Sequence, residues 1–386
     1  MTSLSQAQAQ KLALFSQQLP NGISKGSSYE KTLATFEQLG YVQIDTISVV
    51  QRAHHHTLWA RNPSYQPKHL DQLVADKQVF EYWSHAAAYL PMSNYRHSLP
   101  RKAAIKSGQQ RHWYCKDREL MKNVFARIEA EGPLMAKDFE SKANKTQGWG
   151  SKPTKIALEN LYMQGDLMIA ERRGFHKVYD LTARVLPDSI DTSMPSREEH
   201  AEHLVMNYLK AHGFGSLPEM IYQLKDVKSD VVHALENLTS NKQIELIEIN
   251  GESYFATNQA LSLLDKRLNR KQAKILSPFD NLLIQRKRAS AVFDYDYLIE
   301  CYVPQAKRQF GYFCLPILWD GKLVARADCK VNKQSATLEV LHLVTEPSIR
   351  RSDTFISALE KELQAFALFN QCEQFAILKR SENSTK

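Results

Sequence analysis

The sequence predicts an α+β chain built from several small modules, and three observations predict it. Helical apolar spacing recurs along the first two thirds. A helix–helix–helix–hairpin order appears twice in the middle. Short β-like runs fill most of the last third. At 386 residues the chain is too long for one compact core, since domains of about 100 to 150 residues would make it two to four units.

Residues 4–19, "LSQAQAQKLALFSQQL", and 29–39, "YEKTLATFEQL", space their apolar residues helically, and Gly40 follows where a helix is readily stopped. The β-branched run "YVQIDTISVV" then reads as a strand. A second module begins near Asp117: "RELMKNVFARIEAEGPLMAKDFE" predicts a helix, a Gly-Pro break and a short helix. Residues 152–165, "KPTKIALENLYMQG", predict a third helix, and "DLMIAERRGFHKVYDLT" a hairpin turning at Arg172 to Phe175. The order repeats in "REEHAEHLVMNYLKA", "SLPEMIYQL", "KSDVVHALENLTSN" and the hairpin "KQIELIEINGESYFAT", with Asn250 and Gly251 at its turn. Three helices and a hairpin are the order of a winged helix, a form of helix-turn-helix domain. The segment "LPDSIDTSMPSREEH" reads as a linker between the two units.

From about Lys274 the pattern changes to "AVFDYDYLIECYV", "FGYFCLPILWDGKLVARADCKV" with a turn at Asp320 and Gly321, and "ATLEVLHLV". These runs predict a small C-terminal antiparallel sheet or β-barrel, closed by the amphipathic helix 353–369.

With 43% hydrophobic and 24% charged residues, the composition is that of an ordinary globular protein. No apolar run approaches the roughly 20 residues a bilayer requires, and "MTSLSQAQAQKLALF" lacks a positive region ahead of its apolar patch. The expectation is a chain neither secreted nor inserted. Five widely spaced cysteines without a CxxC pair suggest reduced thiols in a cytoplasmic compartment. A formal charge of +8 is compatible with a polyanionic partner without requiring one.

"YVQIDTISVVQRAHHHTLWAR" raises the question of chemistry. His54, His55 and His56 cannot all face one metal, because neighbours on a helix diverge by about 100° and on a strand alternate sides. His69, His85 and His97 could add ligands, yet none lies in an HExxH or Cys/His cluster, so no metal site is expected. Imidazoles contacting phosphate or capping hydrogen bonds are the simpler reading, with Arg61 at the end of the same stretch. Gln43 and Asp45 differ in kind. If "VQID" is extended, their side chains share one face, with alpha carbons roughly 6.6 Å apart. An edge strand facing solvent would show the same alternation.

Basic residues recur around Arg111, Trp113 and Tyr114 in residues 96–122, a pattern suited to phosphate contacts and stacking, or equally to a solvated helix. Lys152 and Lys155 begin a predicted helix, a natural phosphate site. Arg172, Arg173 and Lys177 surround a hairpin tip. In "ILSPFDNLLIQRKRA", Pro278 and Asp280 suggest a turn, while Arg286, Lys287 and Arg288 fit either a basic rim at a domain junction or DNA contacts.

"LGYVQIDTISVVQRAHHHTLWAR", "FEYWSHAAAYLPMSNYRH" and "LSPFDNLLIQRKR" together resemble the winged-helix DNA glycosylases of the AlkZ/YcaQ family, the YcaQ branch most of all. The resemblance covers nearly the whole chain, with its motif blocks in the family's order. It implies a further winged-helix unit in residues 1–115, ahead of units at 116–190 and 196–260 and a β-barrel at 272–386. It also implies excision of N7-alkylated purines and unhooking of interstrand crosslinks of the nitrogen-mustard type. The family's catalytic motif, Gln, an apolar residue, then Gln or Asp, falls on Gln43, Ile44 and Asp45. The implied substrate is double-stranded DNA carrying an alkylated or crosslinked guanine. The implied enzyme is monofunctional, needs no cofactor and works in the bacterial cytosol or nucleoid. A multi-domain chain able to grip both strands by itself gives no reason to require a dimer, so a monomer is expected. DNA contacts are expected from His54, His55, His56, Arg61, Arg111, Trp113, Lys152, Lys155, Arg172, Arg173, Lys177, Arg286 and Arg288.

A non-enzymatic winged-helix regulator is the alternative, although a carboxylate facing DNA would weaken its binding. A histidine-dependent metal nuclease is the third reading; it predicts strand breaks abolished by chelator.

Overall fold

The computed structural model describes residues 2–111, 113–139, 153–347, 349 and 352–383. The fold is mixed α and β, and the chain divides into two compact units. One comprises Met1–Gln66, His85–Ala87 and Ala201–Lys386; the other comprises Pro67–Ser84 and Ala88–His200.

The larger unit opens with helices Gln6–Ser16 and Ser28–Leu39. Each starts in a capping box, Ser5 with Gln8 and Ser27 with Glu30, which satisfies backbone donors the helix leaves unpaired. Gly40 ends the second at φ 74°, a left-handed geometry glycine adopts without a Cβ clash. After a two-residue strand, Val42–Gln43, comes helix Ala53–Arg61. From Ala201 onward, helix Arg197–His212 belongs to this unit; helices Leu217–Met220 and Lys228–Ser240 follow, then the hairpin Glu245–Ile249 and Glu252–Ala256. Asn250 and Gly251 take φ 54° and 81° at its turn, the backbone that an Asn-Gly pair predicts. Val205, Leu209, Val231 and Leu235 form the core beneath. Thr2–Leu4 adds a parallel strand to Glu245–Ile249.

The C-terminal sheet runs in the order Lys274–Ile275, Cys314–Trp319, Lys322–Asn332, Thr337–Thr345, Gln374–Ile377, and Arg380–Glu382 also pairs with Thr337–Thr345. Helix Ser352–Phe369 returns the chain so that the last two strands pair parallel, burying Phe355, Leu359, Leu363 and Phe366. The expected purely antiparallel sheet is therefore corrected: a crossover helix permits parallel pairing where a tight turn would not. "AVFDYDYLIECYV" also differs. Helix Arg286–Phe293 takes its start, and residues 294–303 are irregular. The phenols of Tyr295 and Tyr297 donate instead to the carbonyls of Ala325 and Cys314, so the β-like composition serves burial rather than pairing.

The smaller unit holds helices Pro67–Ala75, Leu99–Ser107, Arg118–Glu131 and Pro153–Met163. Its hairpin, Leu167–Arg173 with His176–Leu181, turns through Gly174 and Phe175, and the short strand Leu134–Met135 pairs with the hairpin's last strand. Phe214–Gly215 pairs with Glu252–Ala256 in the same way in the larger unit. The repeated element order thus extends to a repeated strand order. Phe80, Tyr82, Tyr95, Ile128, Leu158 and Tyr179 share one core.

That core contains an amine. Lys102 is 4% exposed, and its Nζ lies 3.9 Å from the Tyr95 ring centroid and 4.7 Å from that of Tyr82, without a hydrogen-bond partner among the described residues. Burial pushes its pKa down to about 7. The unfolded chain, titrating near 10.4, then binds the extra proton between these values, so this group makes stability rise with pH across that window. Lys102→Met is expected to stabilise the protein by about 2–4 kcal/mol at neutral pH and to remove that rise. Unfolding midpoints of both proteins at pH 6.5 and 9 check it.

Candidate active site

Within the larger unit, a cavity of about 710 Å³ is lined by Gln43, His85, Tyr222, Pro278, Arg286 and Lys287 among others. Gln43 reaches it from the end of Val42–Gln43, where buried Val42 and Ile44 anchor the backbone and the Ile44 N–H donates to the Ala87 carbonyl at 2.8 Å. His85 Nε2 donates to Gln43 Oε1 at 2.9 Å. Its ring stands edge-on to Tyr41, 5.3 Å between centroids, and 6.2 Å from Tyr222. Burial lowers the His85 pKa to about 4, so the imidazole is neutral at ordinary pH.

Asp45 lies just past the strand. The expected extended run ends at Gln43, because the Asp45 carboxylate accepts the Ile47 N–H at 2.7 Å and bends the chain into an Asx turn. The carboxyl is half-buried, and burial raises its pKa while the Ile47 bond opposes the rise. Cys301 and Tyr302 feel its charge: both are pushed up, by burial first and also by Asp45. Tyr302 is 77% exposed, so the surroundings of Asp45 open to solvent.

The three histidines do not act together. His54 and His56 are buried; His56 Nε2 donates to the Ile275 carbonyl at 3.0 Å and its ring packs 4.6 Å from Phe366. His55 Nδ1 bonds the Tyr65 hydroxyl at 2.7 Å. Burial lowers His55 and His56 to about 4. The expected DNA contacts by His54 and His56 are corrected, since their rings sit in the packed interior.

Arg61 is corrected on the same ground. It is 0% exposed, and its five N–H groups are all used: Nη1 and Nη2 on the Asp280 carboxylate at 2.7 and 2.9 Å, Nε and Nη2 on the Gln17 carbonyl and side chain, and Nη1 on the Thr57 carbonyl. Gly22 crosses directly beside it, where an added Cβ would lie 2.2 Å from the Arg61 carbonyl oxygen. Arg288 is buried as well, bonded to Glu219 and the His212 carbonyl. Arg286 and Lys287, the other cations of "QRKR", are exposed on the cavity wall.

In the smaller unit Arg111 and Lys155 are exposed, and Trp113 is 57% exposed with its ring 4.8 Å from Trp83. Arg172 is bidentate to buried Glu81, Lys177 bonds Glu159, and Arg173 pairs with Glu171 at the surface. Lys152 lies outside the described residues. Among the described residues no group of three or more His, Cys, Asp or Glu could hold a metal, and no helix is long and apolar enough to cross a membrane.

Residue-by-residue reading singled out His85 only as a possible metal ligand. The available signal was its place in "SHAAA", two residues after the strand Val79–Trp83 and beside Ala87, whose carbonyl receives the Ile44 amide. Tyr222 gave no signal, since its segment reads as an ordinary short helix.

A family model described as DNA glycosylase AlkZ-like matches residues 36–369. The class is thus a DNA glycosylase, an enzyme that acts on N-glycosidic bonds in DNA. The chain belongs to the AlkZ-like DNA glycosylase family. Its fold is similar to that of the Streptomyces sahachiroi DNA glycosylase AlkZ, with a TM-score of 0.68 over 98% of this chain and 100% of that one, at 17% identity. At that identity the likeness is one of fold.

Proposed function

We propose that this glycosylase is monofunctional, hydrolyses the N-glycosidic bond of N7-alkylated purines and unhooks nitrogen-mustard interstrand crosslinks, with Asp45 and Gln43 at the reacting centre. The observation that carries this reading is the Gln43 amide on the wall of a cavity that also presents the exposed cations Arg286 and Lys287, with the half-buried Asp45 carboxylate two residues on, near exposed Tyr302.

Alkylation at N7 places a positive charge on the purine and makes it a good leaving group, so little general-acid assistance is needed. What remains is to stabilise the oxocarbenium-like sugar and to deliver water, demands that carboxylates meet in glycoside hydrolysis. Asp45 supplies the negative charge beside C1′ and accepts the water's proton. Gln43 orients that water. No amine nucleophile enters, so the product is an abasic site in an unbroken strand. Lys287 on the cavity wall is read as a phosphate contact.

A guanine tethered to the opposite strand cannot readily rotate out of the duplex as base-flipping enzymes require. The exposure of Tyr302, which feels the Asp45 charge, supports approach to the sugar from a groove. The helix–helix–helix–hairpin segments at 116–190 and 196–260, with a related element order within 1–115, are read as tandem winged helices gripping the backbone ahead of a C-terminal barrel-like module. A single chain of this kind has no need of a second copy, and we read it as a monomer acting in the bacterial cytosol.

Incubation with a nitrogen-mustard-crosslinked duplex tests the reading on a denaturing gel. Unhooking to single strands bearing alkali-labile sites is expected; persistence of the crosslink contradicts it. Arg286→Ala is expected to weaken duplex binding uniformly and to reduce the slope of log Kd against log salt by about one, as measured by fluorescence anisotropy.

A further inference from the structure

We propose that His85 is a positioning residue that fixes the Gln43 amide with its NH2 group free to hold the attacking water. The inference rests on the reading of Gln43 given above and assigns a role to a residue outside the Gln-apolar-Asp motif.

A glutamine amide presents a donor at one end and an acceptor at the other, and only its partners decide which end faces a ligand. His85 Nε2 lies 2.9 Å from Gln43 Oε1, and two acceptors cannot share such a distance, so the ring carries its proton on Nε2. This bond occupies the amide oxygen. Among the described residues Gln43 makes no other side-chain hydrogen bond, which leaves its Nε2–H groups available in the cavity it lines. A water bound through its oxygen by that NH2 keeps both protons unshared with Gln43, and Asp45 can take one as the oxygen attacks C1′. The opposite amide orientation would have Gln43 accept a water proton in competition with Asp45.

The surroundings hold His85 to this role. Tyr41 meets it edge-on, Tyr222 faces it at 6.2 Å, and Ala86 and Ala87, small residues, follow it in the chain. Burial favours the neutral ring, with a pKa near 4, and the neutral ring has a single N–H to give. His85 itself transfers no proton in the reaction.

The test is a double-mutant cycle on single-turnover release of 7-methylguanine from a duplex, with duplex affinity measured in parallel. His85→Leu is expected to slow release about 10- to 30-fold while affinity changes less than about 2-fold. His85→Gln, which retains an amide N–H near the Nε2 position, should recover most of the rate. In a Gln43→Ala background, His85→Leu should add less than about 2-fold, because the residue it positions is gone. The acid limb of the pH profile should be unchanged in His85→Gln. If His85→Leu does not fold, His85→Phe, which keeps the ring without the donor, replaces it in every arm. A wild-type rate in the variant lacking the donor, or full additivity with Gln43→Ala, overturns the proposal. Loss of the reading beneath it looks different: Gln43→Ala alone would then release base at the wild-type rate.

Discussion

Asp45→Asn should reduce single-turnover base release by about 10²- to 10³-fold, about 2.7–4 kcal/mol of transition-state stabilisation, while duplex affinity stays the same or improves. The substitution keeps the side chain's size and its acceptor for the Ile47 N–H. It removes only the negative charge and the proton acceptor. The same assignment fixes a pH dependence. Burial raises the Asp45 pKa, and a base works only when ionised, so the rate should fall as pH drops through a value above the usual aspartate range. That acid limb should be absent from the residual activity of Asp45→Asn. Rate profiles of the two proteins between pH 4 and 8 check both statements. Retention of the wild-type rate by Asp45→Asn removes Asp45 from the chemistry.

Arg61→Met should destabilise the larger unit by about 3–5 kcal/mol, since it leaves the Asp280 carboxylate, 0% exposed, without its cation. The paired change Arg61→Met with Asp280→Leu should recover much of that loss, because two apolar side chains replace a desolvated ion pair. Denaturant unfolding of the three proteins measures it. The salt dependence of DNA binding by the folded double variant should match the wild type, which distinguishes a structural arginine from a phosphate contact. A smaller salt slope would restore Arg61 to the DNA interface.

Arg61 also shows where sequence reading stops. Its place at the end of the histidine stretch suggested a DNA contact, but its burial is decided by Asp280, 219 residues away, and by Gln17, neither of which local spacing can place beside it. The same holds for Arg288 with Glu219. Local physics was legible where it decides the structure: the helix stop at Gly40, the Asn250-Gly251 turn and the Asp320-Gly321 turn follow from residue chemistry within a few positions. "YVQIDTISVV" failed as a strand because Asp45 bonds its own backbone, a competition that β-propensity does not weigh. The parallel pairing of Gln374–Ile377 depended on the helix that crosses ahead of it.

For the site, the motif resemblance gave Gln43 and Asp45, and residue chemistry gave each a task. Neither revealed that His85 occupies the Gln43 oxygen, because the residues are 42 positions apart and meet only through the fold.

The most direct test of the central claim is chromatographic detection of free 7-methylguanine released by the wild-type protein from a duplex containing one such base. The expected result is stoichiometric release, an unbroken strand that cleaves only on treatment with alkali, and no protein–DNA adduct trapped by borohydride. No release of 7-methylguanine, or strand scission with a trapped adduct, would contradict it.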